Sequence, residues 1–157
     1  MALNIANWFT IGLVQGSADA FVQNSIATDI VPENGVILRV TQIHFVIESN
    51  LSAIAADSQV EWSLTRATKT AVAGLSDNDA FLYDSFSYSL TTSGAVIFKQ
   101  GFFYQDLVGI YLAEPTIYAQ LDSTATAIAI TARLRVFYEE QKASEVDILR
   151  ILNAPTT

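Results

Sequence analysis

The sequence predicts an all-β protein: an antiparallel β-sandwich of about eight strands, followed by a short C-terminal helix. The first observation is an apolar–polar alternation with a period of two in the last third of the chain, typical of a strand with one buried face. The second is a series of eight or nine short apolar runs separated by turn signals, as in sandwiches and barrels. The third is that helical and strand patterns do not alternate, which argues against a parallel sheet.

The first half of the chain contains four predicted strands. Each is a short apolar or alternating run bounded by polar or turn-forming residues, and the four runs are residues 8–14, 21–30, 36–48 and 59–66. In the third run the apolar residues change from even to odd positions, and a one-residue slip exchanges the two faces of a strand. We therefore predict a bulge or bend near Thr41 and Gln42.

The second half is predicted to contain a helical turn, a hairpin and the longest strand. Residues 76–84 are interpreted as one or two helical turns, capped by Ser76 or Asp77. Residues 92–94 are interpreted as the turn of a hairpin. The final strand is predicted over residues 124–139, with its buried face at the even positions Ile128, Ile130, Ala132, Leu134, Val136 and Tyr138.

A helix over residues 144–153 is predicted to follow this strand. Ser144 is a suitable N-cap, Glu145 and Asp147 favour the first turn, and Arg150 favours the last. The helix is too short to be stable alone, so its apolar stripe must dock on another surface. That surface is either an edge of the same sandwich or a neighbouring copy, and the sequence leaves both open.

The composition is consistent with one domain spanning residues 1–157. Charged residues make up 15% of the chain, whereas about 25% is usual, so a surface poor in charge favours burial against other copies. The net charge is −8 and the first cation is Arg39, so a basic arm that would neutralise nucleic-acid phosphates is missing. We therefore expect no direct nucleic-acid binding.

Residue types needed for catalysis or metal binding are scarce. His44 is the only histidine and there is no cysteine, so neither a zinc site nor a Cys–His pair can form. We predict no enzymatic activity, no catalytic residue and no cofactor. Asp77 and Asp79 are candidate metal ligands because they resemble the opening of a calcium loop. Phe81 and Leu82 stand where that loop needs an oxygen ligand and a glycine, so a helix cap is the alternative.

Targeting and membrane signals are also missing from the sequence. No run of 18 apolar residues would span a membrane as a helix, and the start lacks the features of a secretory signal. We expect synthesis in the cytoplasm. Arg133 and Arg135 share one face of the final strand, and we expect them to pair with acids on a neighbouring strand or subunit.

Two segments of the chain together resemble a known family. The first is Pro32-Glu-Asn-Gly-Val-Ile-Leu-Arg-Val-Thr-Gln-Ile-His-Phe, and the second is Arg133-Leu-Arg-Val-Phe-Tyr, followed by Ser144-Glu-Val-Asp-Ile-Leu. The first is similar to the opening long strand, and the second to the closing strand and tail, of viral single jelly-roll capsid (coat) proteins, of the kind found in prokaryotic viruses. The resemblance implies a single jelly roll and a self-assembling shell subunit located in the virion and made in the host cytoplasm. Because the basic arm is absent, it implies contact with other virion proteins or an enclosed membrane rather than with the genome.

The predicted function is therefore a structural protein that forms a high-order homo-oligomer. The N-terminal segment 1–8 and the C-terminal helix are the predicted subunit contacts, since terminal segments are otherwise poorly held. The candidate interface residues are Trp8, Phe9, Val146, Leu149 and Leu152. The alternative is a lectin-like or receptor-binding sandwich, such as a virion spike or a carbohydrate-binding module.

Overall fold

A computed structural model describes residues 7–31, 34–49, 57–90, 96–97, 101–105 and 110–153. Within these ranges the chain forms strands and one helix. In chain order they are β1 (Asn7–Val14), β2 (Val22–Ala27), β3 (Val36–Ile47), β4 (Ser58–Thr65), β5 (Ala80–Leu90), β6 (Val96–Ile97), β7 (Gly101–Gln105), β8 (Tyr111–Leu112), β9 (Thr116–Thr124), β10 (Thr131–Lys142) and α1 (Glu145–Asn153).

The strands form two antiparallel sheets. Sheet A has the order β1-β10-β3-β7, with β8 also paired to β3, and sheet B has the order β2-β9-β4-β5-β6. Apart from the two-residue strands β6 and β8, the first strand pairs with the last, the second with the seventh, the third with the sixth and the fourth with the fifth. This nested pairing, wound into two facing sheets, is a single jelly roll. The predicted sandwich and its jelly-roll topology are therefore confirmed.

The core lies between the two sheets and is built from the inward positions of each strand. At its centre the rings of Phe45 and Trp62 are stacked, with centroids 4.8 Å apart and planes 4° apart. Ile130, Ala132, Leu134 and Val136, all predicted to face inward, are buried there. Alternation therefore identified the buried face of β10 correctly.

A bulge in β3 accounts for its change of phase. Opposite β3, Phe137 pairs with Gln42 and the next residue, Tyr138, pairs with Val40, so Thr41 is the extra residue. The predicted bulge near Thr41 and Gln42 is confirmed. Because of this extra residue, Val40 and Ile43 both point into the core, although one residue number is even and the other is odd.

The predicted start of the final strand is wrong. The strand begins at Thr131 rather than at residue 124, because Ala125 and Ala127 adopt left-handed backbone conformations, each with φ of 57°. Successive residues there do not alternate between two faces as strand residues do. The Thr126 hydroxyl donates to Asp19 Oδ1 at 2.8 Å, which ties this loop to the β1–β2 loop.

The predicted helical segment over residues 76–84 is also wrong. The backbone N–H of Asp79 donates to the Asp77 carboxylate at 2.9 Å, and β5 begins at Ala80. This aspartate turn uses the same local chemistry as a helix cap, so the two are easily confused in sequence. Pairing of Leu82 with Leu64 of β4 selects the strand.

Several predictions fall partly outside the described residues. The hairpin turn at residues 92–94 lies outside them, although Leu90 pairs with Val96 on either side of it. Residues 1–6 also lie outside them, and Trp8 already belongs to β1 rather than to a preceding segment. The helix is confirmed as Glu145–Asn153, with the Asp147 N–H donating to Ser144 Oγ at 3.2 Å.

Candidate interaction surface

Part of the outer face of sheet B, around Gln120 of β9, is covered by the chain's own β4–β5 loop, residues 66–79. Gln120 is fully buried beneath this loop. Its Oε1 accepts hydrogen bonds from the Ser63 hydroxyl at 2.8 Å and from the Ala73 N–H at 3.0 Å. Its Nε2 donates to Thr65 Oγ1 at 2.8 Å. The polar side chains of Ser63, Thr65 and Gln120 are thus satisfied by one another and by the backbone of the loop that buries them.

The outer face of sheet A has a different surface. We call it the open face and define it by the outward-pointing residues of β1, β3 and β10: Trp8, Thr10, Val14, Gln42, His44, Val46, Arg133, Arg135 and Phe137. Three large apolar side chains on it remain in solvent, with exposed fractions of 54% for Trp8, 62% for Val14 and 43% for Val46. A group of exposed apolar side chains on one face of a folded domain commonly marks an interaction site.

A row of rings crosses the open face. The ring of Trp8 lies 6.1 Å from that of Phe137, and the ring of His44 lies 4.8 Å from Phe137 on the other side. The row follows the strand register, since Trp8 pairs directly with Phe137. Rigid aromatic groups held at fixed spacing supply contact area at little cost in entropy, which suits them to protein interfaces.

A shallow depression of about 190 Å³ lies beside this row. It is lined by His44, Val46, Glu48, Arg133 and Arg135. Arg133 forms an ion pair with Glu48 at 3.1 Å, as the sequence predicted for a neighbouring strand. Burial of the His44 imidazole lowers its pKa, and the positive charge of Arg135 lowers it further. The imidazole is therefore neutral near pH 7, and Arg135 supplies the uncompensated positive charge of the depression.

Helix α1 docks on its own subunit. Ile148 is buried against Ile37 and Ala113 near the start of β3. The Arg66 guanidinium donates to the Leu152 carbonyl at 2.7 Å, where a cation is favoured by the helix dipole, and lies 3.6 Å from the Glu114 carboxylate. One side of the helix therefore docks on its own sandwich, which is the first of the two alternatives that the sequence left open.

The predicted interface residues fall into two groups. Trp8, Val146 and Leu149 are exposed, and Val146 and Leu149 lie on the solvent side of α1. Phe9 packs against the core, with its ring 5.7 Å from that of Tyr138, and Leu152 packs against the cluster around Ile148. The first group is available to another molecule, whereas the second contributes to the fold of its own subunit.

Asp77 and Asp79, the candidate metal ligands, both form ion pairs with the same lysine. Lys69 Nζ lies 2.8 Å from the Asp77 carboxylate and 2.7 Å from that of Asp79. These hydrogen bonds lower the pKa of Asp77 and raise that of Lys69. The ammonium group therefore takes the position of a cation between the two acids, and the described residues contain no group of three potential metal ligands.

Sequence reasoning missed most of the open face. The sequence pattern identified Trp8 and the two arginines but not Val14 or Val46, and it considered His44 only in order to reject a catalytic role. The available signal was an unusual pair of adjacent strands with apolar or aromatic residues at outward positions, such as Val46 and Phe137. Within the described ranges, no helix has the length and hydrophobicity needed to cross a bilayer.

Comparison with known proteins finds similar structures but no similar sequence. No protein-family model matches the sequence, and no curated protein matches it. The chain is similar to a structure of tomato aspermy virus at 10% identity, over 88% of this chain and 79% of that one, with a TM-score of 0.48. It is also similar to Desmodium yellow mottle tymovirus at 9% identity, over 92% and 94% of the two chains, with a TM-score of 0.34.

A third similar structure is the top component of cowpea mosaic virus, described as naturally occurring empty particles. The identity is 11% over 92% of this chain and 89% of that one, with a TM-score of 0.41. All three TM-scores lie below 0.5, so the jelly-roll assignment rests on the strand pairing of this chain. None of the three structures comes from a prokaryotic virus, and that part of the expected origin stays a prediction.

Proposed function

We propose that this protein is a viral capsid subunit, a structural protein that assembles into a shell through contacts between identical copies. The observation that carries the proposal is the open face. It combines exposed apolar side chains, an aromatic row and two arginines on a rigid sheet. Such a face is costly to leave in water and is suited to burial against another molecule.

The composition supports identical copies as the partner. Only 15% of the residues are charged, and interface cores are depleted in charge relative to other surfaces. Val146 and Leu149 add a second apolar patch on the solvent side of α1. Two separate patches on one subunit allow contacts with more than one neighbour, as a closed shell requires.

The proposal includes location in the virion, synthesis in the host cytoplasm and no enzymatic role. It also includes the absence of direct genome contact, since 16 acidic residues outnumber 8 basic ones. Other virion proteins or an enclosed membrane would then lie inside the shell. Origin in a prokaryotic virus is supported only by the two sequence segments that resemble coat proteins of such viruses.

The test is the assembly state of the purified protein. Sedimentation velocity and negative-stain electron microscopy over a range of concentrations are expected to show closed particles, sheets or large rings. Each specific contact in them is expected to bury more than about 1,000 Å². A monomer at every concentration would contradict the proposal, and saturable binding of such a monomer to a glycan array would favour the lectin-like alternative.

Variants locate the contact. Trp8→Asp and Val46→Asp place a charge on the open face and are expected to abolish assembly while circular dichroism shows an unchanged fold. Leu75→Asp is the matched control, because Leu75 is 62% exposed but lies in the β4–β5 loop on the other sheet. Leu149→Asp tests the helix patch by itself, since Leu149 is exposed and Leu152 is not.

A further inference from the structure

Arg135 differs from the other arginines of the chain, all of which lie within the described residues. Arg39, Arg66, Arg133 and Arg150 each form an ion pair with an acid of the same chain. Arg135 forms none within the described ranges, although the sequence contains twice as many acids as cations. It lies at the middle of a sheet, flanked in register by Thr10 on one side and His44 on the other.

The position of Arg135 is that of an interface anchor. It lines the depression of about 190 Å³ with Val46, and Trp8 and Phe137 lie on the adjoining rows of the same face. Arginine and tryptophan are among the residues most enriched at energetic hot spots of protein interfaces. A guanidinium group also presents a planar fork of donors that fits a carboxylate in a two-pronged arrangement.

Charge complementarity favours a second copy of this chain as the occupant. A second copy carries a net charge of −8, so its surface offers many carboxylates and few competing cations. The neighbouring strand β3 contains no acid, and Glu48, which directly follows it, is already paired with Arg133. Strand β7, on the other side of β3, contains no aspartate or glutamate in its sequence, Gly-Phe-Phe-Tyr-Gln.

We propose that the depression lined by His44, Val46, Glu48, Arg133 and Arg135 receives an aspartate or glutamate side chain from a second copy, which pairs with Arg135. This inference rests on the proposed function and specifies one contact of the assembly. The pair is enclosed by the surrounding apolar side chains once the two copies meet, so it contributes to the choice of partner and register.

The first experiment measures the concentration at which assembly begins. Arg135→Gln is expected to raise it by about 30-fold or more, the effect of removing one partner of a buried charge pair. Lys69→Gln is the matched control, since it removes the same charge from the β4–β5 loop on the other sheet, outside both apolar patches, and is expected to have little effect. If the wild-type protein assembles and Arg135→Gln assembles equally well, the inference is overturned and the proposed function stands.

The second experiment identifies the acid. Arg135→Lys places an amine in the depression, and a zero-length carbodiimide joins an amine to a carboxylate in ion-pair contact. Assemblies mixed from ¹⁵N-labelled and unlabelled subunits are expected to give mixed-label cross-linked peptides that contain position 135, detected by mass spectrometry. Cross-links only within one subunit, for example to Glu48, would overturn the inference. Nucleic acid that copurifies with the wild type and is lost in Arg135→Gln would overturn it as well.

Discussion

The two outer faces of the sandwich are built from the same kind of alternating strand, yet they end in different environments. On sheet B the outward Gln120, Ser63 and Thr65 are sealed beneath the β4–β5 loop by hydrogen bonds. On sheet A the outward Trp8 and Val46 remain in solvent. The first group of side chains is buried within the subunit, whereas the second is buried, on our proposal, by another subunit. Loss of a side chain should therefore affect folding on one face and association on the other.

The largest effect is expected for the two tryptophans of the chain, one in the core and one on the open face. Trp62→Ala should lower the free energy of unfolding by about 3–5 kcal/mol, because it leaves a cavity beside Phe45. Trp8→Ala should lower it by about 1 kcal/mol or less while weakening assembly. Urea denaturation of the monomer and sedimentation measure the two effects. Equal destabilisation by both variants would remove the distinction between core and open face.

A matched pair of glutamines gives the next largest effect. Gln120→Ala should destabilise the fold by about 2–4 kcal/mol, since several buried groups lose their partner, and should release residues 66–79 to hydrogen exchange. Gln42→Ala, on the open face, should change stability by about 0.5 kcal/mol or less. Urea denaturation and exchange mass spectrometry are the measurements. Unchanged protection of residues 66–79 in Gln120→Ala would show that the loop is held by other contacts.

The smallest effect concerns pH and the loops that join the sheets. The Thr126 N–H, which donates to Asp19 at 2.9 Å, holds the pKa of this carboxyl below its ordinary value. Because the folded pKa is the lower one, the stabilisation is present above about pH 4 and is lost as the pH falls through the folded pKa. Asp19→Asn should flatten this part of the profile of melting temperature against pH.

Asp29→Asn is the control for this pH profile. Asp29 has φ of 56° and Asp19 has φ of 55°, so asparagine fits both backbones equally well and the two variants remove the same charge. Asp29→Asn therefore shows the effect of the lost charge alone, and any difference between the two profiles reports the contact of Asp19 with Thr126. An unaltered profile in Asp19→Asn would mean that the contact with Thr126 does not contribute to stability.

Sequence patterns predicted the inward residues well because burial between two sheets imposes a period of two. The alternation at Ile130, Ala132 and Leu134, the bulge at Thr41 and the cap at Ser144 all depend on local rules that the sequence expresses directly. The same rule failed at Ala125 and Ala127, where an apolar residue adopts a left-handed conformation that composition does not reveal. The helix-cap rule failed at Asp77, because a turn and a helix cap use the same hydrogen bond.

The interaction surface was harder to predict than the fold. Alternation states that Gln120 and Val46 both point outward, but it does not state whether a loop from elsewhere in the chain covers them. That depends on contacts such as Ala73 with Gln120, which are distant in sequence. Whether Arg135 pairs with an acid likewise depends on the residues of β1, β3 and β7, and not on the sequence of its own strand.

The pairing of the first strand with the last has a consequence for synthesis. Trp8 and its register partner Phe137 lie in β1 and β10, so β10 must leave the ribosome before the two residues can pair. The surface that joins Trp8, Phe137 and Arg135 therefore exists only after β10 has been released. A nascent subunit cannot present this surface to its neighbours before that point, so the order of the strands delays association until β1 and β10 have paired.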